Sequence, residues 1–457
     1  MNKDDILSQL EKISGSDFVS NKTEDLYIYS QDPGASEPRP VDFVVLPKTV
    51  EEIQKIIELA NREQIPLIPM GGGLTLSGLI IPIKGGIVLD LKRMNQILEI
   101  NELSRYAVLE PGVTTGKIKA YLDEHYPDLQ PPIPDAPPSA TVAGNMLIHG
   151  SGSLSQKYGC HSSMINGLEV VLPTGEICRF GSCAVSDYWF SKGPIPDLIG
   201  LFTSAFGTMG IITKISIKLF PKPKFRDMVF GLIEGFLDLP KLMSEITFTE
   251  LAEDIIISKS DVPEAFKNFA ILMVYIVGNS EEELEFKRKT IEKIYKDHNA
   301  QVTPLTGVTR DRLMAHPQFG AALAADWRKG GGFEYVGSFI PLDKIPEAIE
   351  KGSAISRKYG LSTSLLCRLI GRGHAVMFAV TFPFNRADPK DMLNTRNGLE
   401  ETNKMILEIG GIPWKTELAG QKLIMEKIDP NFKKVFKNIR SIIDPNGIMN
   451  PGNWEVN

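Results

Sequence analysis

The chain opens on an amphipathic run, Asp4 to Ile13, whose apolar positions recur at helical spacing. Asp42 to Leu46 then reads as a short strand ended by Pro47. Thr49-Val-Glu-Glu52 has the Thr-x-x-Glu pattern in which each end caps the other's backbone, so a helix is predicted from there to about Asn61. Ile65 to Pro69 is a second short buried strand and Ile87 to Leu91 a third. Arg105 to Pro111 alternates like a strand, and Thr115 to Tyr126 is helical in period until Pro127 breaks it. Gly167 to Cys178 reads as strand, turn and strand, and Ile211 to Phe220 alternates cleanly before Pro221 and Pro223.

After Arg226 the texture changes. Strand-like segments Phe269–Val277, Phe333–Pro341, Leu361–Arg368 and His374–Pro383 are interleaved with helical ones at Ser280–His298, Lys344–Tyr359 and Pro389–Ile409, an α+β alternation of the ferredoxin-like kind. Asp326-Trp-Arg328-Lys329, followed by three glycines, reads as a surface loop or a lid. No sequence repeat is visible.

Between the second and third strands lies Gly71-Gly72-Gly73, then Thr75-Leu-Ser77-Gly78. Without Cβ atoms such backbone can take positive φ and bring its N–H groups close to a ligand, and consecutive amides of that kind form a nest for an anion, usually phosphate. Rossmann and P-loop sites need a helix directly after the glycines. Pro82, Lys84, Gly85 and Gly86 prevent one, and no Gly-Lys-Ser/Thr follows. On this stretch alone, a phosphate cradle and a plain glycine-rich turn remain level.

Composition narrows the classes. The chain has 457 residues, 42% hydrophobic and 23% charged, with a net charge of −6, which suits two or more soluble globular domains with sizeable cores. Net acidity without a basic block argues against nucleic acid. No run reaches the roughly 18–20 apolar residues of a membrane span, and the acidic start Met-Asn-Lys-Asp-Asp-Ile is unlike a secretory signal. Cys160, Cys178, Cys183 and Cys367 lack metal-type spacing, so they read as reduced structural thiols of a cytoplasmic protein, with no iron–sulphur cluster in this chain.

Four further blocks decide the meaning of the glycine loop. They are Pro111-Gly112-Val113, Pro137-Pro-Ser139-Ala-Thr141-Val-Ala-Gly144-Asn145, Phe202-Thr-Ser204-Ala-Phe-Gly207-Thr-Met-Gly210-Ile-Ile-Thr213, and Asp444-Pro-Asn-Gly-Ile-Met-Asn450-Pro-Gly452. With the loop, this set resembles the FAD-binding oxidoreductases of the vanillyl-alcohol oxidase / p-cresol methylhydroxylase superfamily, which also holds the glycolate oxidase and D-lactate dehydrogenase flavin subunits. The resemblance implies a two-part FAD-binding domain of the p-cresol methylhydroxylase type with an inserted ferredoxin-like α+β cap: residues 1–224 for the FAD domain, 225–425 for the cap, and 426–457 for the return. It assigns FAD contacts to Pro69, Met70, Gly71, Gly72, Gly73, Leu74, Thr75, Ser77 and Gly78. It extends them to Pro111, Gly112, Pro137, Ser139, Thr141, Gly144, Asn145, Gly150, Ser151, Gly152, Tyr158 and His161, and to Gly207, Gly210, Ile211, Ile212 and Asn450. Non-covalent FAD is expected.

Within that superfamily the hydroxy-acid branch carries a metal-binding histidine segment and a later Glu-His pair. Here Gly373-His374 survives, but the second histidine position is Thr381, and Glu417 is followed by Leu418; no metal is expected. Gly159-Cys-His161, Gly193-Pro-Ile-Pro-Asp197 and Gly411-Ile-Pro-Trp-Lys415-Thr416 resemble segments of the aromatic-alcohol branch, with Lys415 standing where an arginine helps hold a phenolate. Lys415, Glu417, His374 and Arg368 are the candidate catalytic residues. His374 is also readable as a core histidine, and Arg368 as a carboxylate binder.

The resulting expectation is an FAD-dependent oxidoreductase, a dehydrogenase more than an oxidase, that oxidises a 2-hydroxy acid or an aromatic alcohol or alkylphenol by hydride transfer to flavin N5. Electrons would pass to a carrier or a redox partner subunit (an iron–sulphur protein, a cytochrome or an electron-transfer flavoprotein), and a homodimer is compatible with the reading. An electron-transfer subunit without its own substrate, and a non-redox flavin-adduct synthase of the ether-lipid type, stay open at this point.

Overall fold

A computed structural model describes residues 2–260, 268–315, 330–362 and 364–455. The segment Asp326–Lys329 lies outside the described residues. The helix Lys3–Ser14 starts where Asn2 accepts from the Asp5 amide at 2.8 Å. It precedes a four-stranded sheet of β1 (Val19–Ser20), β2 (Phe43–Val45), β3 (Leu67–Met70) and β4 (Ile87–Asp90), ordered β1-β2-β4-β3. β2 and β3 both run parallel to β4. The crossover helix Val50–Glu63 begins at the predicted cap, with Thr49 accepting from the Glu52 amide at 3.2 Å and Glu52 from the Lys48 amide at 3.1 Å. It buries Ile53, Ile56, Ile57 and Ala60 against β2 and β4. The predicted β-helix-β unit is therefore present, and the loop after β3 runs to β4 without a helix, as Pro82 and the glycines require.

The chain continues through β5 (Ile97–Asn101), β6 (Tyr106–Leu109), the short β7 (Leu129–Gln130), β8 (Ile165–Val171), β9 (Ile177–Gly181), β10 (Ile211–Lys218) and the short β11 (Phe220–Pro221). Five of these form an antiparallel sheet ordered β5-β6-β10-β8-β9, while β7 pairs with β11. The C-terminal residues come back to the first sheet. Leu67 N donates to Ile448 O and Asn450 N to Leu67 O, both at 2.8 Å.

The cap is one antiparallel sheet of eight strands: β12 (Phe225–Glu234), β13 (Ala252–Ser260), β14 (Phe269–Gly278), β15 (Gln301–Val302), β16 (Gly331–Ile340), β17 (Ser364–Ile370), β18 (Ala375–Asn385) and β19 (Ile412–Trp414). Its order is β15-β12-β14-β13-β17-β18-β16-β19. Each half follows strand, helix, strand, strand, helix, strand, and in each half the fourth strand pairs with the first, the first with the third and the third with the second. The two ferredoxin-like halves meet through their second strands, β13 and β17. The sequence shows no repeat because only topology and apolar faces are shared. Helices Leu239–Phe248, Glu281–Asp297, Ile345–Lys358 and Pro389–Glu408 bury Leu242, Tyr295, Ile349 and Ile406 in one core on a single face. The other face looks towards the N-terminal half, where the short helix Ser155–Tyr158 packs on β13 and β17.

The seam between the halves carries an ion pair. Arg368 on β17 is fully buried, and its Nε and Nη2 donate to Asp254 of β13 at 3.1 and 2.9 Å. Its Nη1 donates to Asp135, out on the loop between β7 and β8. Removing one member of a buried pair strands the other's charge and costs about 3–5 kcal/mol. Asp254→Ala is expected to lower unfolding free energy by ~3–5 kcal/mol in urea titrations, far more than loss of an exposed pair such as Arg372–Glu250.

Candidate functional site

A continuous cavity lies between the glycine loop, the loop before helix Val142–Leu147, and the edge of the cap sheet. One part spans about 820 Å³, partly open to solvent, and is mainly apolar, walled by Leu79, Leu91, Phe202, Phe206 and Met209 with Gly207 and Gly210. The other part spans about 970 Å³, also partly open to solvent, and reaches Phe333, Tyr335, Trp414 and Lys415 of the cap. Gly71, Thr75, Ile80, Gly144 and Ile148 line both.

The glycines are there because backbone meets backbone. A Cβ on Gly72 would stand 3.0 Å from Ser139 O and 3.2 Å from Thr141 N, and one on Gly71 would stand 2.5 Å from Thr141 Oγ1. Gly73 has φ of +70°, which disfavours any side chain. Thr141 caps the helix Val142–Leu147, accepting from the Gly144 amide at 3.3 Å, so that helix N-terminus also opens on the cavity. The hydroxyl of Thr75 is buried on the cavity wall with no hydrogen-bond partner.

Most expected cofactor residues line this space: Pro69 to Thr75, Pro111, Pro137, Thr141, Gly144, Asn145, Ser151, Gly207, Gly210 and Ile212. Others sit one layer back. His161 is fully buried, with Nδ1 2.5 Å from Asn145 Oδ1 and Nε2 3.2 Å from Ser153 O, so it fixes Asn145. Burial pushes its pKa down to about 4, leaving the ring neutral. Gly112 and Gly152 pack under the walls, where a Cβ would meet Leu91 O and Ile133 O. Gly150 lies against Asn145. Ser139 presents its carbonyl to Gly72, and Ile211 is core. Asn450 donates to Phe206 O at 2.6 Å, and its Oδ1 has no partner. Tyr158 stacks on Phe220 at 4.4 Å, half-exposed and outside the cavity lining.

Ser77 and Gly78 are placed otherwise than the sequence reading expects. Their amides face two of the chain's own carboxylates: Ser77 N donates to Glu334 Oε2 at 2.9 Å and Gly78 N to Asp32 Oδ2 at 2.8 Å. Neither residue lines the cavity. Burial pushes Glu334 up to about 7; Asp32 adds to the rise, and Lys415 and the Tyr335 and Ser77 amides oppose it.

The candidate catalytic residues separate likewise. Lys415 is on the cavity wall in the left-handed region, φ 42°. Its ammonium donates to Thr75 O and lies 4.3 Å from the centre of the Tyr335 ring and 5.5 Å from that of Trp414. Arg368 does not line the cavity, but the Asp135 it holds does. Glu417 is buried two residues beyond Lys415, accepting from Asn403 at 2.6 Å and from Thr416 at 3.0 Å, outside the lining. His374 is exposed in the turn between β17 and β18. Among the described residues lining the cavity, Lys415 is the one cation and Asp135 the one carboxylate.

Sequence reasoning missed Asp135, Asp32 and Glu334. The signals were faint: Asp135 sits inside the proline-rich run, and Glu334 is a lone acid in the apolar strand Phe333–Ile340.

Two family models match this chain: an FAD binding domain over residues 41–181, and the C-terminal domain of FAD linked oxidases over residues 242–454. The chain belongs to the FAD-linked oxidases. It is 28% identical to glycolate oxidase subunit GlcD of Bacillus subtilis, over 98% of this chain and 96% of that one. It is 24% identical to a probable mitochondrial D-lactate dehydrogenase of Danio rerio, over 98% and 91%. Its fold is similar to that of p-cresol methylhydroxylase with substrate bound, with a TM-score of 0.86 at 21% identity, covering 99% and 97% of the two chains. The architecture is thus the two-domain α+β one of p-cresol methylhydroxylase type. This FAD-linked oxidase is an FAD-dependent oxidoreductase.

The residues present fit FAD. A run of Cβ-free backbone, a capped helix N-terminus and the unpartnered Thr75 hydroxyl surround a space continuous with a deep apolar compartment, as a dinucleotide with charged and flat aromatic parts requires. Gly72→Val is expected to yield folded but colourless protein, because its Cβ would push the loop off Ser139 and Thr141; absorbance near the flavin band, with circular dichroism as the folding control, checks it.

Proposed function

We propose that this oxidoreductase acts on an aromatic alcohol or alkylphenol whose oxygen-bearing end is fixed by Lys415. The observation that supports this reading is the setting of Lys415, a lone cation on a wall otherwise formed at that end by Phe333, Tyr335 and Trp414. A flat ring suits those aromatics, and an ammonium already bound to Thr75 O keeps further N–H donors for a phenolate or hydroxyl.

Bound FAD would supply the two-electron acceptor, with hydride received at flavin N5. The chain's own residues do the rest. Lys415 orients the substrate and stabilises negative charge on its oxygen. Asp135 has one oxygen held by Arg368, whose charge Asp254 shares, leaving the second free to accept a hydroxyl proton. The apolar walls exclude water from the reacting carbon. Glu417 and His374, in these positions, would act on the site only by holding structure; Glu417 braces the segment of Lys415 through Thr416 and Asn403.

A 2-hydroxy acid is the second reading. It is favoured by the activities of the relatives, and Lys415 would then pair with the carboxylate. We further take FAD to be held non-covalently, since His161 is fully buried and outside the cavity lining and His149 is paired with Ser162 at 2.5 Å. Dehydrogenase rather than oxidase action, with a redox partner subunit taking the electrons, a homodimer, a cytoplasmic setting, and the division at residues 224 and 425 belong to the same proposal. Among the described residues no helix is long and apolar enough to cross a membrane.

Anaerobic mixing of the yellow protein with benzylic alcohols, alkylphenols and D- and L-2-hydroxy acids tests the substrate: bleaching by an aromatic alcohol or phenol is expected, and bleaching by hydroxy acids alone would overturn the reading. In the FAD-bound protein, Lys415→Met is expected to slow flavin reduction by on the order of 100-fold, the loss of a charge-assisted hydrogen bond worth up to ~3 kcal/mol. Stopped-flow absorbance measures it.

A further inference from the structure

Two carboxylates from distant parts of the chain converge on one turn of the glycine loop. Leu76, Ser77 and Gly78 are all left-handed, with φ of 61°, 58° and 66°. Amides in such a run make an anion-binding hollow, and here the anion is the protein's own. Glu334, fully buried on the cap strand β16, accepts from Ser77 N and, at 3.3 Å, from Ser77 Oγ. Asp32, buried in the N-terminal segment, accepts from Gly78 N and, at 2.9 Å, from Gly34 N. Gly34 is what lets them approach: a Cβ there would lie 2.3 Å from Glu334 Oε2 and 2.9 Å from Asp32 Oδ1. Just before this turn, Thr75 O takes the ammonium of Lys415. The cap therefore grips Thr75–Gly78 with one acid and one base, while Gly71–Gly73 and Thr75 line the cofactor cavity.

We propose that Glu334, together with Asp32, is a latch that fixes the cap sheet onto the glycine loop and holds that loop in its FAD-retaining shape, Glu334 being a positioning residue without contact to reacting atoms. This goes beyond the reading of Lys415 as substrate anchor and stands if that reading fails.

The latch depends on pH. The groups facing Glu334 are Asp32 from the N-terminal segment, Lys415 from the segment after β19, and the Ser77 and Tyr335 amides; Arg39 in turn faces Asp32. With one proton on the pair, a single negative charge meets the two loop amides. Once that proton leaves, two carboxylates share the hollow against Lys415. Glu334 binds its proton more tightly folded than unfolded, so its stabilising effect is complete below the ordinary carboxylate range and is lost as the pH rises through about 7.

The experiment follows FAD release from the holoenzyme by the rise in flavin fluorescence after dilution, between about pH 6 and pH 8, with thermal unfolding of the apoprotein alongside. Wild-type release is expected to accelerate several-fold across that range while the apoprotein's Tm falls. Glu334→Gln, uncharged and of the same shape, is expected to make both profiles flat. Glu334→Ala is expected to release FAD roughly tenfold faster than wild type at the acid end of that range, about the effect of losing one buried hydrogen-bonded acceptor, with the difference shrinking as the pH rises. Should Glu334→Ala not fold, Asp32→Asn serves: removing the neighbouring charge is expected to move the inflection to lower pH. Coincident profiles for wild type and Glu334→Gln, unchanged release in Glu334→Ala, or an unmoved inflection in Asp32→Asn would overturn the latch.

Discussion

The contact on which the rest of the molecule depends is the one between the backbone of Gly71–Gly72 and the segment Ser139–Thr141, met through backbone at Gly72 and through the Thr141 side chain at Gly71. Two loops with no secondary structure between them are brought within van der Waals range, which side chains at Gly71 or Gly72 would forbid. Each loop is supported from behind. β3 carries the glycines, pinned at Leu67 by Ile448 and Asn450 from the chain's end. On the other side Thr141 turns the proline-rich run into a helix, and His161 fixes Asn145 on that helix. Backbone amides can then face an anion at fixed positions, and the hydrophobic cores of two sheets carry the strain of bringing them together.

The cap obeys a different constraint. Its eight strands are two like halves joined edge to edge by one ladder of hydrogen bonds and by the apolar core their helices share. Arg368 reinforces that joint by pairing with Asp254 across it, and through Asp135 it reaches the flavin half. A guanidinium suits the place, since its five donors can serve two carboxylates while it stays charged in full burial. The same residue that the sequence offered as a substrate binder is thus committed to structure, and the carboxylate it steadies is the one that meets the cavity.

How much of this could be read beforehand follows from the range of the interactions. The glycine loop, the capped crossover helix and the alternating strand β10 rest on local rules, and they stand where those rules put them. Cap strands with strong alternation or long apolar runs, β14, β16 and β18, were legible for the same reason. β12 and β13 were not, nor was the short edge strand β19, which takes its strand form from pairing with β16. The duplication within the cap has no sequence echo because packing against helices asks only for apolar faces. Among site residues, Lys415 could be placed by its segment. Glu334, Asp32 and Asp135 could not, because their partners lie 257, 46 and 233 residues away in the chain. Ser77 and Gly78 have the local conformation of an anion nest, and nothing local says that the anion is Glu334 or Asp32.

The two parts of the molecule bring unlike materials to the cavity. The flavin half gives backbone, glycine and aliphatic surface; the cap gives aromatic rings and Lys415, while Asp135, the acid, is steadied from the cap by Arg368. Such a division would let substrate choice change without disturbing cofactor retention, were it not for Thr75–Gly78. There the ammonium of Lys415 rests on a loop carbonyl and Glu334 on a loop amide, so any residue at position 415 must satisfy the loop as well as the cavity wall. A compact ammonium does both: one N–H reaches Thr75 O, and the charge sits over Tyr335. A guanidinium in the same left-handed position would spread its fork across that ring and carbonyl, and would need a second acceptor to justify its burial. Lysine at 415 is therefore a consequence of how tightly the cap is held to the loop.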